Sequence, residues 1–157
     1  MDKEVYHCKN CHHYFYVKKV EREILFGHED VGSAQSETRG KQLENIFNYI
    51  NTKSNSLKII DLGSGFGGYI NFAKNLGYDC TAVDLDNYFE NKYINDGIEF
   101  IQMDLNSISI EISQNIVVMS HILEHLKSPL ESLREIINSN VQFLIIEVPN
   151  FHGTIFR

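Results

Sequence analysis

The chain has 157 residues, 43% hydrophobic and 22% charged, with a formal net charge of −7. That length can bury one sizeable core and predicts one domain with an appendage, while the acidic balance, with no Lys/Arg cluster longer than Lys18-Lys19, argues against nucleic acid as a partner. The start MDKEV is too polar for a signal peptide and no apolar run approaches the about 18 residues of a membrane helix, so a cytoplasmic chain with no membrane partner is expected.

In the first 35 residues the sequence is aromatic and rich in His, with no sustained period. There YHCKNCHHYFYV places Cys8 and Cys11 at knuckle spacing, where one tight turn can aim two thiolates at the same ion. Structural zinc takes four ligands, so a complete site would recruit His7, His13, His28 or another chain. A residual knuckle without metal and a redox pair are the alternatives. Cys80, the third cysteine, reads as core.

The pattern changes at Ser36, which predicts an N-terminal CxxC-containing segment over 1–35 and a second domain over 36–157. SETRGKQLENIFNYI sets Leu43, Ile46, Phe47 and Ile50 at helical spacing, and NTKSNS breaks the helix. LKIID reads as a short buried strand. GGYINFAKNLG follows as a helix carrying Tyr69, Ile70, Phe72, Ala73 and Leu76 and stopped by Gly77. CTAVDLD is the next strand, NYFENKYIND a helix, IEFIQMD a third strand and NIVVMS a fourth. SPLESLREII opens with Ser128 as N-cap, Pro129 at the first helical position and Glu131 closing a capping box, and VQFLIIEV is a fifth strand. Strands alternating with helices predict the α/β class: a Rossmann-like, mostly parallel sheet flanked by helices.

Between the first strand and helix of this domain lies KIIDLGSGFGGYI. Gly63, Gly65 and Gly68 spell the G-x-G-x-x-G of pyrophosphate-binding turns, yet Asp61, Gly63, Gly65 and Gly67 also spell D-x-G-x-G-x-G. Either turn lets a nucleotide approach the backbone beyond the carboxyl ends of the strands, and Asp84, about 20 residues on, suits a ribose-binding carboxylate in both cases. Asp61 separates the two. A carboxylate there repels phosphate and suits a cationic ligand carrying an amino group and a sulfonium.

DLGSGFGG resembles motif I of the class I S-adenosylmethionine-dependent methyltransferases, AVDLD their second motif and FIQMDL their third. VVMSHILEHLKSP with IIEVPN resembles the following strands of the small-molecule branch, and the likeness runs in order over residues 57–150. It implies that Gly63, Gly65 and Gly67 wrap the methionine part of S-adenosylmethionine and that Asp61 helps hold that region. It also implies that Asp84 binds the ribose hydroxyls, that Asp104 meets the adenine amino group, and that Leu85 and Leu105 flank the adenine. Gly67 serving only tight packing and Asp104 capping the next segment are the structural alternatives. The implied activity is methyl transfer to a small-molecule acceptor, a sugar among the candidates. A catalytically incomplete cofactor-binding or interaction protein is the alternative, and a nicotinamide oxidoreductase would rest on G-x-G-x-x-G alone.

In SHILEHL, His121, Glu124 and His125 stand at i, i+3 and i+4, and on a helix all three would share one side. Some members of the family it resembles carry Glu-x-x-Glu-His here for a divalent metal; this chain has His121 in place of the first Glu. Three readings stay open: support of the cofactor turn, a general base at His121, or a metal site. The Cys8/Cys11 stretch in turn resembles the end of the zinc module ahead of many sugar C-methyltransferases, which has two cysteine pairs where this chain has one. The family's usual sheet has about seven strands. Five precede NFHGTIFR, so the sheet is expected to be C-terminally incomplete, the chain a fragment or truncated, and its exposed edge open to homo-oligomer pairing.

Overall fold

The structure, a computed structural model, describes residues 5–10, 14–16, 36–54, 58–106 and 112–149. β1 (Val5–His7) and β2 (Tyr14–Tyr16) form an antiparallel hairpin with Val5 opposite Tyr16 and His7 opposite Tyr14. The hairpin belongs to one compact unit, and Val31–Val148 forms another.

The second unit runs α1 (Ser36–Asn51), β3 (Lys58–Leu62), α2 (Gly68–Asn75), β4 (Asp79–Asp84), α3 (Glu90–Asn95), β5 (Glu99–Gln102), β6 (Ile116–Ser120), a 3-10 turn (Leu123–His125), α4 (Pro129–Asn138) and β7 (Phe143–Glu147). Its five strands are all parallel, in the order β5-β4-β3-β6-β7. The expected α/β architecture is therefore the observed one. Each strand of a parallel sheet needs a crossover that packs on a face, so both faces are covered and the buried parts of the central strands are mostly apolar, with Asp61 of β3 and Thr81 of β4 as exceptions. β6, IVVMS, is buried over its first four residues.

Strand alternation sorts the side chains onto two cores. Ile59 of β3, Cys80 and Ala82 of β4 and Ile116 and Val118 of β6 pack with Leu43, Phe47 and Ile50 of α1, Tyr69, Ile70 and Ala73 of α2 and Tyr93 of α3. Ile60, Leu62, Val83, Val117 and Met119 face the other way, onto Ile136 of α4 and the apolar residues around the 3-10 turn. The chain builds outward from β3 to β5, then returns to lay β6 on the other side of β3. This reversal opens a crevice beyond the carboxyl ends of β3 and β6, where ligands settle in open α/β sheets.

Two local expectations are corrected. Ser128 is the N-cap of α4 and Pro129 opens it, but no capping box forms: Ser128 sits at ψ 66, its side chain makes no cap bond, and its carbonyl takes the N–H groups of Glu131 and Ser132 instead. NYFENKYIND yields only the six residues of α3. The Asp86 carboxylate accepts from the Tyr88 N–H at 2.9 Å and turns the chain before the helix starts. No helix among the described residues is long and apolar enough to cross a membrane.

Phe47 is fully buried, stacked on Phe72 at 5.6 Å and edge-on to Tyr78 at 5.3 Å, so it anchors α1 to α2 and to the start of β4. Phe47→Ala should cost about 3–5 kcal/mol of unfolding free energy by chemical denaturation; a loss under about 1 kcal/mol would mean that α1 is held by something else.

Candidate cofactor site

β3 delivers its last residues to the crevice, and the glycine loop turns there. Gly63, Gly65 and Gly67 have φ of 78°, 48° and 83°. The loop is tied to β4 by the Gly63 and Ser64 N–H groups, which both donate to the Val83 carbonyl, at 2.8 and 3.0 Å. The glycines serve different needs. A Cβ on Gly63 would stand 2.7 Å from Ile122, and one on Gly67 would stand 2.7 Å from the Asn71 amide nitrogen and 2.8 Å from the Tyr93 hydroxyl. A Cβ on Gly65 would meet nothing within 4 Å. Gly67 thus has a packing reason of its own, whereas Gly65 borders open space.

Asp84, at the end of β4, reaches back to this loop. Its Oδ2 accepts from the Gly65 N–H at 2.7 Å and its Oδ1 from the Asp86 N–H at 3.2 Å. The Gly65 carbonyl accepts from the Tyr93 hydroxyl at 2.7 Å. Sequence reasoning found Asp84 but not its hold on the loop, and it missed Tyr93 entirely.

Asp61 is 2% exposed. Its strand neighbours are Ala82 and Val118, so the carboxylate stands among alkyl groups on the face covered by α1 and α2. Burial first, and the Asp84 charge second, push it from an ordinary 3.8 to about 7; the Ile70 N–H and Arg39 pull the other way without prevailing. Among the described residues two buried side-chain atoms lack a hydrogen-bond partner, Asp61 Oδ1 and Ser64 Oγ, and both belong to this turn.

Leu85 is 46% exposed beyond β4, and its carbonyl accepts from the Gln102 side-chain amide at 3.1 Å. Asp104 is partly buried, its Oδ1 accepting from the Asn106 backbone and side chain at 2.9 and 3.0 Å. Leu105 packs against the α4-side core. A hollow on that side, lined by Leu62, Leu105, Met119 and Leu126, holds Glu135 as its one titratable group and offers little to a charged nucleotide.

His121 follows β6 in a left-handed conformation, φ 54°, unusual for a residue with a side chain. Within SHILEH, Ser120 ends β6 and only Leu123–His125 is helical, as a 3-10 turn, so His121, Glu124 and His125 do not line up on one α-helical face. His121 Nδ1 lies 3.7 Å from Glu124 Oε1 and its Nε2 3.9 Å from Glu147 Oε1. Glu147 is the hub of this rim: Arg39 donates from both terminal nitrogens to its two oxygens, Ser120 donates to Oε2 at 2.6 Å, and the Glu147 carbonyl accepts from the His121 N–H at 2.8 Å. Burial raises the Glu147 carboxyl, but the Arg39 and Ser120 hydrogen bonds outweigh it and hold it below its ordinary value. The Arg39 guanidinium also lies 4.7 Å above the Tyr69 ring. Nothing in the sequence linked Arg39 to Glu147, 108 residues apart.

Cys8 follows β1 and is partly buried, whereas Cys11, His12, His13 and His28 lie outside the described residues. Among the described residues no group of three or more His, Cys, Asp or Glu could hold a metal ion.

Two measurements check this geometry. Folded Asp61 holds its proton more tightly than the unfolded chain between about pH 4 and 7, so its contribution to stability falls as pH rises through that window, by on the order of 4 kcal/mol, and is flat above it. Asp61→Asn should therefore gain on the wild type in unfolding free energy from pH 5 to pH 8; a constant gap would show that Asp61 ionises normally. Gly65→Ala should lose about 1–2 kcal/mol through its left-handed backbone alone, and Gly67→Ala more, because its methyl also meets Asn71 and Tyr93.

The family model described as a methyltransferase domain matches residues 60–139, just over half of the chain. No protein of curated function matches significantly. Among solved structures, a protein from Pyrococcus horikoshii OT3 is similar at 19% identity with a TM-score of 0.56, over 76% of this chain and 61% of that one. A SAM dependent methyltransferase from Archaeoglobus fulgidus is similar at 23% identity and TM-score 0.51, over 71% and 53%. Coclaurine N-methyltransferase bound to N-methylheliamine and SAH is similar at 18% identity and TM-score 0.57, over 75% and 37%. The chain spans less than two thirds of each of these structures, and at such identities the likeness speaks for the fold. With the family match over β3 to α4, it follows that this chain belongs to the methyltransferase-domain family.

Proposed function

We propose that the chain is the cofactor-binding part of a class I methyltransferase that takes S-adenosylmethionine and passes its methyl group to a small-molecule acceptor. The observation that carries this reading is the buried, unpartnered Asp61 Oδ1 at a turn whose middle glycine borders open space. Buried polar atoms are nearly always satisfied, and a donor-bearing cation arriving over Gly65 would satisfy this one. The methionine ammonium of the cofactor is such a group; a pyrophosphate would add a like charge beside Asp61 and Asp84.

In this reading Gly63, Gly65 and Gly67 wrap the methionine part and Asp61 faces its ammonium. Asp84 is half-buried, and a carboxylate offers about four acceptor positions, so it can hold the ribose hydroxyls while keeping the Gly65 N–H. Leu85 lies against one side of the adenine, and Asp104 and Leu105 close the far end. Bound there, S-adenosylmethionine supplies a methyl already activated by its sulfonium. The chain then has to orient the acceptor and take up one proton. His121, 53% exposed at the end of β6 and set between Glu124 and Glu147, is the base for that step. A small acceptor, a sugar among the candidates, fits the acidic chain. The plantazolicin methyltransferase structure in complex with a pentazolic desmethylPZN analog and SAH, and coclaurine N-methyltransferase with N-methylheliamine, give the same direction. Zinc at Cys8 and Cys11 gains no support.

Calorimetric titration with SAH and, separately, with a dinucleotide tests the reading. SAH should bind and the dinucleotide should not; the reverse preference would overturn it. Asp84→Ala should weaken SAH by about 2–4 kcal/mol, since it removes charge-assisted bonds to the ribose and the anchor of Gly65 together. An ammonium favours ionised Asp61, so SAH affinity should rise from pH 5 to about 7 and then level off, and Asp61→Asn should abolish that rise.

A further inference from the structure

We propose that Tyr93, on α3, is a positioning residue for the cofactor: together with Asp84 it clamps Gly65 from both sides and keeps the glycine loop in its binding shape before any ligand arrives. The inference rests on the cofactor reading above, and concerns a residue outside every motif of the sequence.

Gly65 has no packing partner of its own, because the space its Cβ would occupy is open. Two hydrogen bonds hold it instead, the N–H to Asp84 Oδ2 and the carbonyl to the Tyr93 hydroxyl, both at 2.7 Å. A glycine so placed loses more conformational freedom on ordering than any other residue, so without these bonds the loop would sample many shapes. Tyr93 is built for the task. It is fully buried, its ring stacks on Phe100 with centroids 5.8 Å apart and planes 12° from parallel, and its hydroxyl occupies the gap left by the missing side chain of Gly67. Burial raises its phenol, so it remains a donor at any working pH. The third glycine of the motif is thereby explained: it makes room for the hydroxyl that fixes the second. The Gly65 N–H is committed to Asp84, while its carbonyl, with Tyr93 on one lone pair, keeps the other for a donor of the cofactor.

A loop that is closed only part of the time lowers apparent affinity by the fraction closed. Tyr93→Phe keeps the ring and removes the hydroxyl. In the full chain it should weaken SAH by about 3- to 10-fold, the loss of one ordinary hydrogen bond from the closed loop. Adenosine, which lacks the methionine part that the loop wraps, should weaken by less than about twofold; a general defect in packing would weaken both equally and overturn the proposal. Amide hydrogen exchange should quicken at residues 64–68 of the variant while β3 and β4 stay as in the wild type. SAH affinity within twofold of wild type would overturn the proposal. So would a ligand-free wild type whose amides at 65–67 exchange without protection, a measurement that decides the matter even where the variant fails to fold. A wild type that binds neither SAH nor adenosine would overturn the cofactor reading instead, and the exchange rates alone would then decide the clamp.

Discussion

The site turns on a carboxylate kept from water. Asp61 is placed by strand alternation on the face of β3 that also carries Ile59, with Ala82 and Val118 alongside. Two alkyl neighbours and a helix layer give it little solvation, and ionising it there opposes folding. The chain tolerates the position because the sheet around it is well packed on both faces. In the proposed cofactor reading stability and function pull in opposite directions at this one residue, and the surrounding cores from α1 to α4 supply the margin that permits it.

Around that residue, support comes from elements far apart in sequence. β4 lends Asp84, α3 lends Tyr93, and the segment after β6 lends Ile122 against Gly63. Each meets the loop at a different peptide. Rigid scaffolds position functional loops in this way: apart from Phe66 the loop's own residues are small, and its shape is imposed from outside.

This division explains what the sequence disclosed. Runs of apolar residues located every strand of the sheet, since a strand covered on both faces is mostly apolar, and β6 reads IVVMS for that reason. The stripe of Leu43, Phe47 and Ile50 on α1 is buried because a helix covering a sheet must turn one face inward. The left-handed turn at Gly63, Gly65 and Gly67 and the place of Asp84 at the end of β4 were legible because glycines at tight turns and strand-end residues keep fixed spacings. Tyr93 and the Arg39–Glu147 pair were not legible, because one tyrosine in a short polar helix carries no mark of what its hydroxyl touches, and a contact across 108 residues leaves no local period. The i, i+3, i+4 spacing in SHILEH would share one side only on an α-helix; His121 within it is left-handed and Leu123–His125 forms a 3-10 turn, and no pattern of residue types announces a positive φ outside glycine.

The Arg39–Glu147 pair has a consequence for the architecture as a whole unit. Arg39 lies in the first turns of α1 and Glu147 closes β7, so the described part of this unit begins and ends close together. A unit with adjoining ends can be joined head to tail and reopened at a surface turn, or carried as an insertion inside another polypeptide, without stretching its host. The seam between α1 and β7 combines that bidentate ion pair with the edge-on packing of Tyr49 against Phe143.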